Sequence, residues 1–287
     1  MYIRLAKTAV TVFAGVVALG LGSAPAALAA PADGGTEFVP CSAHALHDAV
    51  ENADYGDVLV LATNCTYQLY GTLDVTTRLT MIGHNSTITE WSHAGGFTLV
   101  SVGDCECEGA NLTLVDVNFT NGGGDAEYGG AIYNDNRLTV KGGTFTDNSA
   151  EYGGAIYNED QMTVTGAAFT RNSATDGGAI YNEDNATIQG AAFTWNNAVG
   201  GDNYGGAIYS DDSLYLSNSG FLANSAAYGG GIYNDDNLHA SHITVTSNAA
   251  SEDGGGIYND DETAIVTGSS LFGNQPDNCF DVPGCLG

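Results

Sequence analysis

The 287-residue sequence predicts an all-β fold, a single-stranded right-handed parallel β-helix with a short N-terminal helical cap. A hexapeptide, Gly-Gly-(Ala/Gly)-Ile-Tyr-(Asn/Ser), recurs six times at spacings of 24 to 28 residues. Such short and regular spacing is typical of stacked units and not of a domain with one central core. Each repeat also contains apolar residues that alternate with period two. The isoleucines of the hexapeptides are Ile132, Ile156, Ile180, Ile208, Ile232 and Ile257.

The first regular repeat shows how this alternation predicts strands. We expect Ile132, Leu138 and Phe145 to face inward, whereas Ala131 and Tyr133 face outward. Three short strands per repeat, separated by Gly- or Asn-containing turns, define a parallel β-helix when each strand pairs with its copy in the next repeat. The glycine pairs and β-branched residues exclude a helical solenoid, and a propeller blade needs about 40 residues. Crossovers between parallel strands are almost always right-handed, and we expect about nine coils.

The chain begins with a segment typical of a secretory signal peptide, residues 1–29. Arg4 and Lys7 supply the positive start, residues 9–21 the apolar run, and residues 27–29 a small-x-small cleavage site. The apolar run is shorter than the ~20 residues of a membrane-spanning helix. We therefore expect a secreted, extracellular protein, in association with the cell surface or free, with no membrane span.

Residues 30–57 are predicted to be an N-terminal segment with a capping helix. The helix should run from Ser42 to Ala53, because Ser42 is a suitable N-cap and Leu46, Val50 and Ala53 share one face. This helix would cover the open edge of the first coil.

The parallel β-helix is predicted over residues 58–275, with its regular repeats at 129–274. The coils before the regular repeats are degenerate. Their predicted strands are Val58–Leu61, Leu79–Ile82, Thr87–Thr89, Phe97–Val102 and Leu112–Phe119. Residues 276–287 are predicted to be a C-terminal cap with a disulfide.

Six cysteines in an exported chain indicate disulfides, and all six lie outside the regular repeats. We predict the pairs Cys41–Cys65 and Cys279–Cys285, which would staple the two ends of the stack. Cys105 and Cys107 are then left as a pair by subtraction. A metal site on these two residues is disfavoured, because the usual Cys-x-x-Cys spacing and a partner histidine are missing.

The chain is strongly acidic, with 34 Asp and Glu against 6 Lys and Arg and a net charge of −28. Such a surface repels nucleic acid, anionic membranes and acidic polysaccharides. It suits cations and neutral or basic partners. We expect a monomer whose partner, unknown from the sequence, is a neutral glycan or a surface protein, and which binds no nucleic acid.

Three kinds of side chain should form ladders along the stack. An inward phenylalanine ladder is predicted from Phe145, Phe169, Phe193 and Phe221. An outward tyrosine row is predicted from Tyr133, Tyr157, Tyr181, Tyr209, Tyr233 and Tyr258. Two asparagine ladders are predicted, one from Asn134, Asn158, Asn182, Asn234 and Asn259 with Ser210 as its departure, the other from Asn148, Asn172, Asn196, Asn224, Asn248 and Asn274. The tyrosine row is either a self-stacking ladder or a platform for sugar rings.

Acidic residues follow the hexapeptide in every repeat, at Asp135, Glu159-Asp160, Glu183-Asp184, Asp211-Asp212, Asp235-Asp236 and Asp260-Asp261. In-register stacking would place like charges about 5 Å apart. Each contact would cost about 1 kcal/mol in water and about 3–4 kcal/mol at an effective dielectric of 20. Splayed side chains, raised pKa values or bound cations could relieve this repulsion. Calcium fits best among cations, with Asp160, Asp184, Asp212, Asp236 and Asp261 as candidate ligands.

The Gly-Gly-Ala-Ile and Phe-x-x-Asn elements resemble the repeats of chlamydial polymorphic outer-membrane proteins. The opening through Cys41, Ala45-Leu46, Ala49-Val50, Gly56-Asp57 and Cys65-Thr66-Tyr67 is similar to secreted right-handed β-helix proteins of actinobacteria. Together the resemblance covers residues 41–287. It implies a secreted solenoid of the pectate-lyase-like type, a fold that both enzymes and non-enzymes use.

The sequence favours a non-enzyme. Pectate lyases need basic residues at the substrate carboxylate, yet outside the signal peptide only Arg78, Arg137, Lys141 and Arg171 are basic. The Asn-Thr-Asp and Gly-His-Gly strings of polygalacturonases do not occur. His44 and His47 share a helix face but have no evident third metal ligand, and His239 and His242 fall on a strand and the turn after it, so they need not face each other. We therefore assign no catalytic and no cofactor-binding residue.

The sequence thus predicts a non-catalytic surface or matrix protein, adhesin-like, that displays an acidic, tyrosine-striped face. The alternative is a carbohydrate-active enzyme, a lyase or hydrolase, acting on a neutral polysaccharide. Three segments break the repeat pattern: the insertion at Val199–Asp202, the segment Asn121–Glu127 and the coil at Cys105–Glu108. The first two, with Trp195, would form one binding surface, or else they are tolerated surface loops.

Overall fold

The computed structural model describes residues 34–91, 96–103, 109–260 and 263–285. Within them the chain forms a parallel β-solenoid of about ten turns with one helix, which confirms the predicted fold class. The predicted signal peptide and the pair Cys105–Cys107 lie outside the described residues. No helix among the described residues is long and apolar enough to cross a membrane.

Three parallel sheets run along the solenoid, named here the long sheet, the Ile-Tyr-Asn sheet and the short sheet. Among the described residues, the long sheet has the strands Thr36–Val39, Asp57–Leu61, Thr66–Leu69, Arg78–Glu90, Asn111–Thr120, Arg137–Lys141, Thr144–Thr146, Gln161–Thr165, Ala168–Thr170, Asn185–Gln189, Ala192–Thr194, Ser213–Ser217, Gly220–Leu222, Asn237–Ser241, Thr244–Thr246, Ala264–Thr267 and Ser270–Phe272. The Ile-Tyr-Asn sheet has Leu73–Val75, Val100–Val102, Ile132–Asn134, Ile156–Asn158, Ile180–Asn182, Ile208–Ser210, Ile232–Asn234, Ile257–Asn259 and Cys279–Phe280. The short sheet has Ser173–Ala174, Asn197–Ala198, Ser225–Tyr228 and Ala249–Asp253.

Equivalent residues of successive coils lie directly opposite each other. Ile156 pairs with Ile132 on one side and with Ile180 on the other. In the early coils the two predicted strands Leu79–Ile82 and Thr87–Thr89 are one strand, Arg78–Glu90, with a register shift between Ile82 and Ser86. The chain absorbs this shift at two consecutive residues with positive φ, so pairing resumes without a break.

The phenylalanines form the predicted inward ladder, which Phe119 extends by one coil. All five rings are at most 1% exposed, and neighbouring ring centroids lie 4.7 to 5.1 Å apart. Leu138 also faces the interior, as predicted, and so does Val140. Burial of one ring per coil supplies much of the apolar area that holds the stack together.

Glycine is required at both positions of the Gly-Gly pair. Gly129 has a φ of +54°, and a Cβ there would lie 2.0 Å from the carbonyl oxygen of Ile132. A Cβ on Gly130 would lie 2.4 Å from the Gly154 oxygen of the next coil. The pair therefore permits both a tight turn and the close approach of two coils.

The prediction that Ala131 faces outward is wrong, because this residue is completely buried. The Ala155 oxygen of the next coil accepts hydrogen bonds from both the Ala131 and the Ile132 amides, at 3.0 and 2.9 Å. A regular ladder would give each amide its own acceptor. Strict alternation therefore begins only at Ile132, after the bend made by the glycines.

Both predicted disulfides within the described residues are present. The helix Ala43–Glu51 has Ser42 as its N-cap and buries Leu46, Ala49 and Val50, as a cap over the first coil should. Cys41 and Cys65 are joined beside it. Cys279 and Cys285 are joined at the other end, where the strand Cys279–Phe280 adds to the Ile-Tyr-Asn sheet.

Candidate functional site

The six predicted tyrosines project outward from the Ile-Tyr-Asn sheet and form one stack, called here the first tyrosine row. Neighbouring rings are nearly parallel, with centroids 4.5 to 5.8 Å apart. Phe280 continues the stack beyond Tyr258 at 4.6 Å. The self-stacking ladder predicted from the sequence is therefore present.

A second tyrosine row, which the sequence analysis missed, lies over the first. It consists of Tyr128, Tyr152, Tyr204 and Tyr228. Tyr128 packs on Tyr157 at 4.7 Å between centroids, and Tyr204 packs on Tyr233 at 4.8 Å. As a result Tyr157 and Tyr233 are only 5% and 7% exposed, so the outermost aromatic surface belongs to the second row.

The signal for the second row was present, since a tyrosine precedes the glycine pair in four of the six repeats. Asp176 and Asp253 take that position in the other two. Asp176 lies opposite Tyr152, and its Oδ1 accepts a hydrogen bond from the Tyr204 amide at 2.9 Å. Burial raises the pKa of the Asp176 carboxyl.

Carboxylates border the tyrosines along one side of the rows, and we call them the acidic rim. They are the first acids after each hexapeptide, at Asp135, Glu159, Glu183, Asp211, Asp235 and Asp260. The Tyr133 hydroxyl donates to Glu159, and the Tyr157 hydroxyl donates to Glu183 of the next coil. Burial first, and the Glu183 carboxylate second, raise the pKa of Tyr157. These hydroxyl donors partly offset the charge of the stacked carboxylates.

The repulsion predicted between stacked acids appears in the pKa of Asp235, which is raised to about 6. Burial is the main cause, followed by a hydrogen bond with the Asp211 carboxyl and the charges of Asp211, Asp260 and Asp236. A hydrogen bond between two carboxyl groups requires a proton on one of them. A raised pKa is one of the three predicted ways to relieve the repulsion between stacked acids, and it is found at Asp235.

The candidate calcium ligands follow one residue after the rim. Asp160, Asp184, Asp212 and Asp236 begin the turn into the long sheet, and their backbone oxygens accept hydrogen bonds from the asparagine ladder or Ser210. Burial, then the charges of Asp212 and Asp160, raise the pKa of Asp184. Asp261 lies outside the described residues, within which no three His, Cys, Asp or Glu side chains form a metal-type group. Calcium binding stays a prediction.

The two asparagine ladders differ in continuity. In the ladder that starts at Asn148, each Nδ2 donates to the Oδ1 of the next coil at 2.9 to 3.1 Å, and the last partner is Asn278. In the ladder that starts at Asn134, Asn182 donates to the Ser210 hydroxyl at 3.1 Å. The Asn234 Oδ1 that follows is buried and has no hydrogen-bond partner among the described residues. Serine is too short to continue the ladder.

A cavity of about 420 Å³ lies at the N-terminal end of the tyrosine rows. Its lining includes Asp74, Phe97, Ser101, Glu127, Tyr128 and Tyr133. The segment Asn121–Glu127, which breaks the repeat pattern, supplies one wall. The sequence did not predict this cavity, because it forms between a regular and a degenerate coil.

The other predicted candidates within the described residues lie elsewhere on the solenoid. Val199 donates to the Ala174 oxygen at 2.7 Å, so the insertion begins at the short sheet. Trp195 is 62% exposed at the corner that follows the phenylalanine strand. His239 stacks on Tyr215 at 5.1 Å on the long sheet, and His44 pairs with Asp48 on the helix. Neither Trp195 nor the insertion lines the cavity described above.

Three segments of the chain match the Chlamydia polymorphic membrane protein repeat, at residues 142–159, 166–183 and 242–260. Each segment runs from the turn before the inward aromatic or Val245 strand to the end of the next Ile-Tyr-Asn strand. No curated protein matches the chain. The chain is therefore a parallel β-helix protein that carries polymorphic membrane protein-like repeats.

Proposed function

We propose that this chain is an extracellular, adhesin-like surface protein that binds its partner through the tyrosine face, defined as both tyrosine rows with the acidic rim. The observation that carries the proposal is the unbroken first tyrosine row with the acidic rim beside it. Aromatic rings stack without interruption from Tyr133 to Phe280, and carboxylates follow them coil by coil.

Three features support an extracellular location. The repeat resembles that of polymorphic membrane proteins, a β-helix presents a long regular surface, and the two described disulfides fit an oxidising compartment. We infer from them that the chain works outside the cell and acts by contact rather than catalysis.

The chemistry of the face defines the partner. Tyrosine offers a rigid apolar ring with a hydroxyl at its tip, which is why it is enriched in binding surfaces. The rim and the net charge of −28 disfavour acidic partners. A neutral glycan or a neutral to basic surface protein therefore fits best.

The proposal is tested by adhesion. Beads coated with the exported chain are applied to layers of neutral polysaccharides and to cells, and detachment under flow is measured. The face variant Tyr152→Ala/Tyr204→Ala removes two rings of the second row. Tyr215→Ala is the matched control, because it removes an exposed tyrosine from the long sheet. Adhesion that falls in the face variant and not in the control supports the proposal; equal adhesion of all three contradicts it.

A carbohydrate-active enzyme is the second candidate, since Asp74 and Glu127 place two carboxyl groups around one cavity. Incubation with neutral polysaccharides, followed by assays for reducing ends and unsaturated products, tests it. Release of products that stops in Glu127→Gln would establish an enzyme in place of a purely adhesive protein.

We also propose calcium as a cation that the stacked acids recruit. The support is electrostatic, because the charges of Asp212 and Asp160 add to burial in raising the pKa of Asp184. Calcium takes six to eight oxygen ligands and bridges carboxylates readily.

A further inference from the structure

The first tyrosine row has a defined beginning. Ser101 lies opposite Tyr133 in the preceding coil. Asp74 lies opposite Ser101, one coil earlier still. From Tyr133 onward every coil of this column carries an aromatic ring, whereas the coil before it carries only a hydroxymethyl group. The column therefore changes from small and polar to aromatic in one step of about 5 Å.

The cavity of about 420 Å³ lies at this step and is lined by Ser101, Tyr133 and Tyr128. Its volume lies within the ~300–1,000 Å³ of small-molecule sites. A flat ring placed beside Ser101 would occupy the position of one further member of the stack. Phe97 adds a third aromatic side chain to the lining.

Ser101 supplies an observation that points to a ligand. The residue is 5% exposed, and its Oγ atom is buried with no hydrogen-bond partner among the described residues. A buried hydroxyl without a partner costs free energy, so such groups are rare in folded proteins. Because Ser101 lines the cavity, a turn of its side chain toward a ligand hydroxyl would supply the missing hydrogen bond.

The wall of the cavity formed by the segment Asn121–Glu127 and Tyr128 is held in place by hydrogen bonds, most of them between backbone groups. Gly123 donates to the Phe97 oxygen at 3.0 Å, and Gly124 donates to the Ser149 oxygen at 3.0 Å. Tyr152 donates to the Glu127 oxygen at 2.9 Å, which continues this wall into the next coil. The Thr98 hydroxyl donates to the Tyr128 oxygen at 2.7 Å. The cavity is therefore shaped before any ligand arrives, which lowers the entropic cost of binding.

We propose that this cavity binds one pyranose ring of a neutral saccharide. The sugar ring stacks on Tyr133 and Tyr128 as an added member of the rows, and one of its hydroxyls bonds Ser101 Oγ. The carboxylates of Asp74 and Glu127 are acceptors for further sugar hydroxyls. The site deepens the proposed function, on which its biological role rests, by naming a substrate class for one end of the tyrosine face.

Charge and hydrogen bonding select this ligand class. Two carboxylates in the lining and a net charge of −28 disfavour uronic acids and phosphates. A quaternary ammonium ion would suit the aromatic rings and the carboxylates, but it has no group that could satisfy the Ser101 hydroxyl. A neutral sugar uses both the ring faces and the hydroxyl.

The test is titration of the full chain with methyl glycosides of glucose, galactose, mannose and N-acetylglucosamine, followed by saturation-transfer NMR and amide shifts. Tetramethylammonium and glucuronate are the charged probes. We expect at least one glycoside to bind with a Kd of about 1 mM, a common strength for weak small ligands. The largest amide shifts should fall at Ser101 and Tyr133.

The variants separate binding from folding. Ser101→Ala should weaken the glycoside about tenfold through the lost hydrogen bond, while the melting temperature stays or rises because an unpaired hydroxyl is removed. Ser101→Tyr should fill the cavity and abolish binding. Tyr128→Ala should weaken binding, whereas Tyr228→Ala, its counterpart in the same row, should not.

Three outcomes overturn the proposal: no glycoside binds, Ser101→Tyr binds as well as the natural chain, or tetramethylammonium binds and the glycosides do not. Bead adhesion of the natural chain, measured alongside, keeps the two proposals distinct. If the natural chain adheres but binds no glycoside, the saccharide site is removed and the adhesive face is left. Glycoside binding without adhesion removes the adhesive function and leaves the site.

Discussion

The interior of the solenoid and its tyrosine face follow the same period but tolerate variation differently. Inside, phenylalanine occupies five consecutive coils from Phe119 to Phe221, and the ladder that starts at Asn148 continues without a gap. On the face, Ser101 stands before the first row and Asp176 interrupts the second. Interior positions repeat because packing fixes the side chains there. Binding is therefore better indicated by positions on the tyrosine face that depart from the repeat.

Truncation of one ring in each region should show the largest difference in stability between the interior and the tyrosine face. Phe193→Ala removes a fully buried ring and should lower the free energy of unfolding by about 3–5 kcal/mol. Tyr181→Ala removes a half-buried ring and should cost about 1–2 kcal/mol, mostly from its two stacking contacts. Urea denaturation measures both. Equal losses would show that the face is as structural as the interior.

The broken asparagine ladder gives a stabilising prediction. Ser210→Asn should join Asn182 to Asn234 and satisfy the buried Asn234 Oδ1, as the same residue does in the neighbouring coils. The expected gain is about 1 kcal/mol, the net value of a typical hydrogen bond. Thermal denaturation of the variant checks it. A lower melting temperature would mean that this coil cannot hold the larger side chain.

The acidic rim predicts a pH dependence that the interior lacks. The folded-state pKa of Asp235, about 6, lies above its unfolded value of about 3.8, so the folded chain binds the extra proton. The stability associated with this proton is present below pH 4 and is lost as the pH rises through 6. Asp235→Asn should therefore raise the melting temperature more at pH 7.5 than at pH 4. An identical gain at both values would rule out the shared proton.

Among these changes, calcium should have the smallest effect on the melting temperature. If it bridges carboxylates of Asp160, Asp184 and Asp212, millimolar calcium will raise the melting temperature beyond sodium at matched ionic strength. The increase should shrink in Asp184→Asn. A melting temperature that changes neither with calcium nor with a chelator would show that the stacked acids do not bind calcium.

Features inside the alternating segment of each repeat could be predicted from the sequence, whereas features outside that segment could not. Period-two alternation placed the phenylalanines, the first tyrosine row and both asparagine ladders. It failed at Ala131, where two amides share one acceptor and the strand is not yet regular. The second tyrosine row escaped because it precedes the glycine pair, outside the alternating segment.

The cavity could not be predicted, because it depends on a register between unlike coils. Ser101 and Tyr133 are 32 residues apart in sequence, longer than the regular period, and only strand pairing brings them opposite. The short sheet was also missed, since strands as brief as Ser173–Ala174 leave no periodic pattern. What the sequence did indicate was the segment Asn121–Glu127, whose departure from the repeat marks the wall of the cavity.

Adhesion under flow tests directly whether the tyrosine face, and not another surface of the stack, binds the partner. Beads carrying the natural chain, Tyr152→Ala/Tyr204→Ala or Tyr215→Ala are compared on the same glycan or cell layer, after circular dichroism has shown that all three are folded. We predict that the face variant loses about tenfold or more in adhesion, as truncation of central aromatic residues typically does, while Tyr215→Ala adheres like the natural chain. Adhesion that is unchanged in the face variant, or lost equally in both, would show that the tyrosine face is not the binding surface.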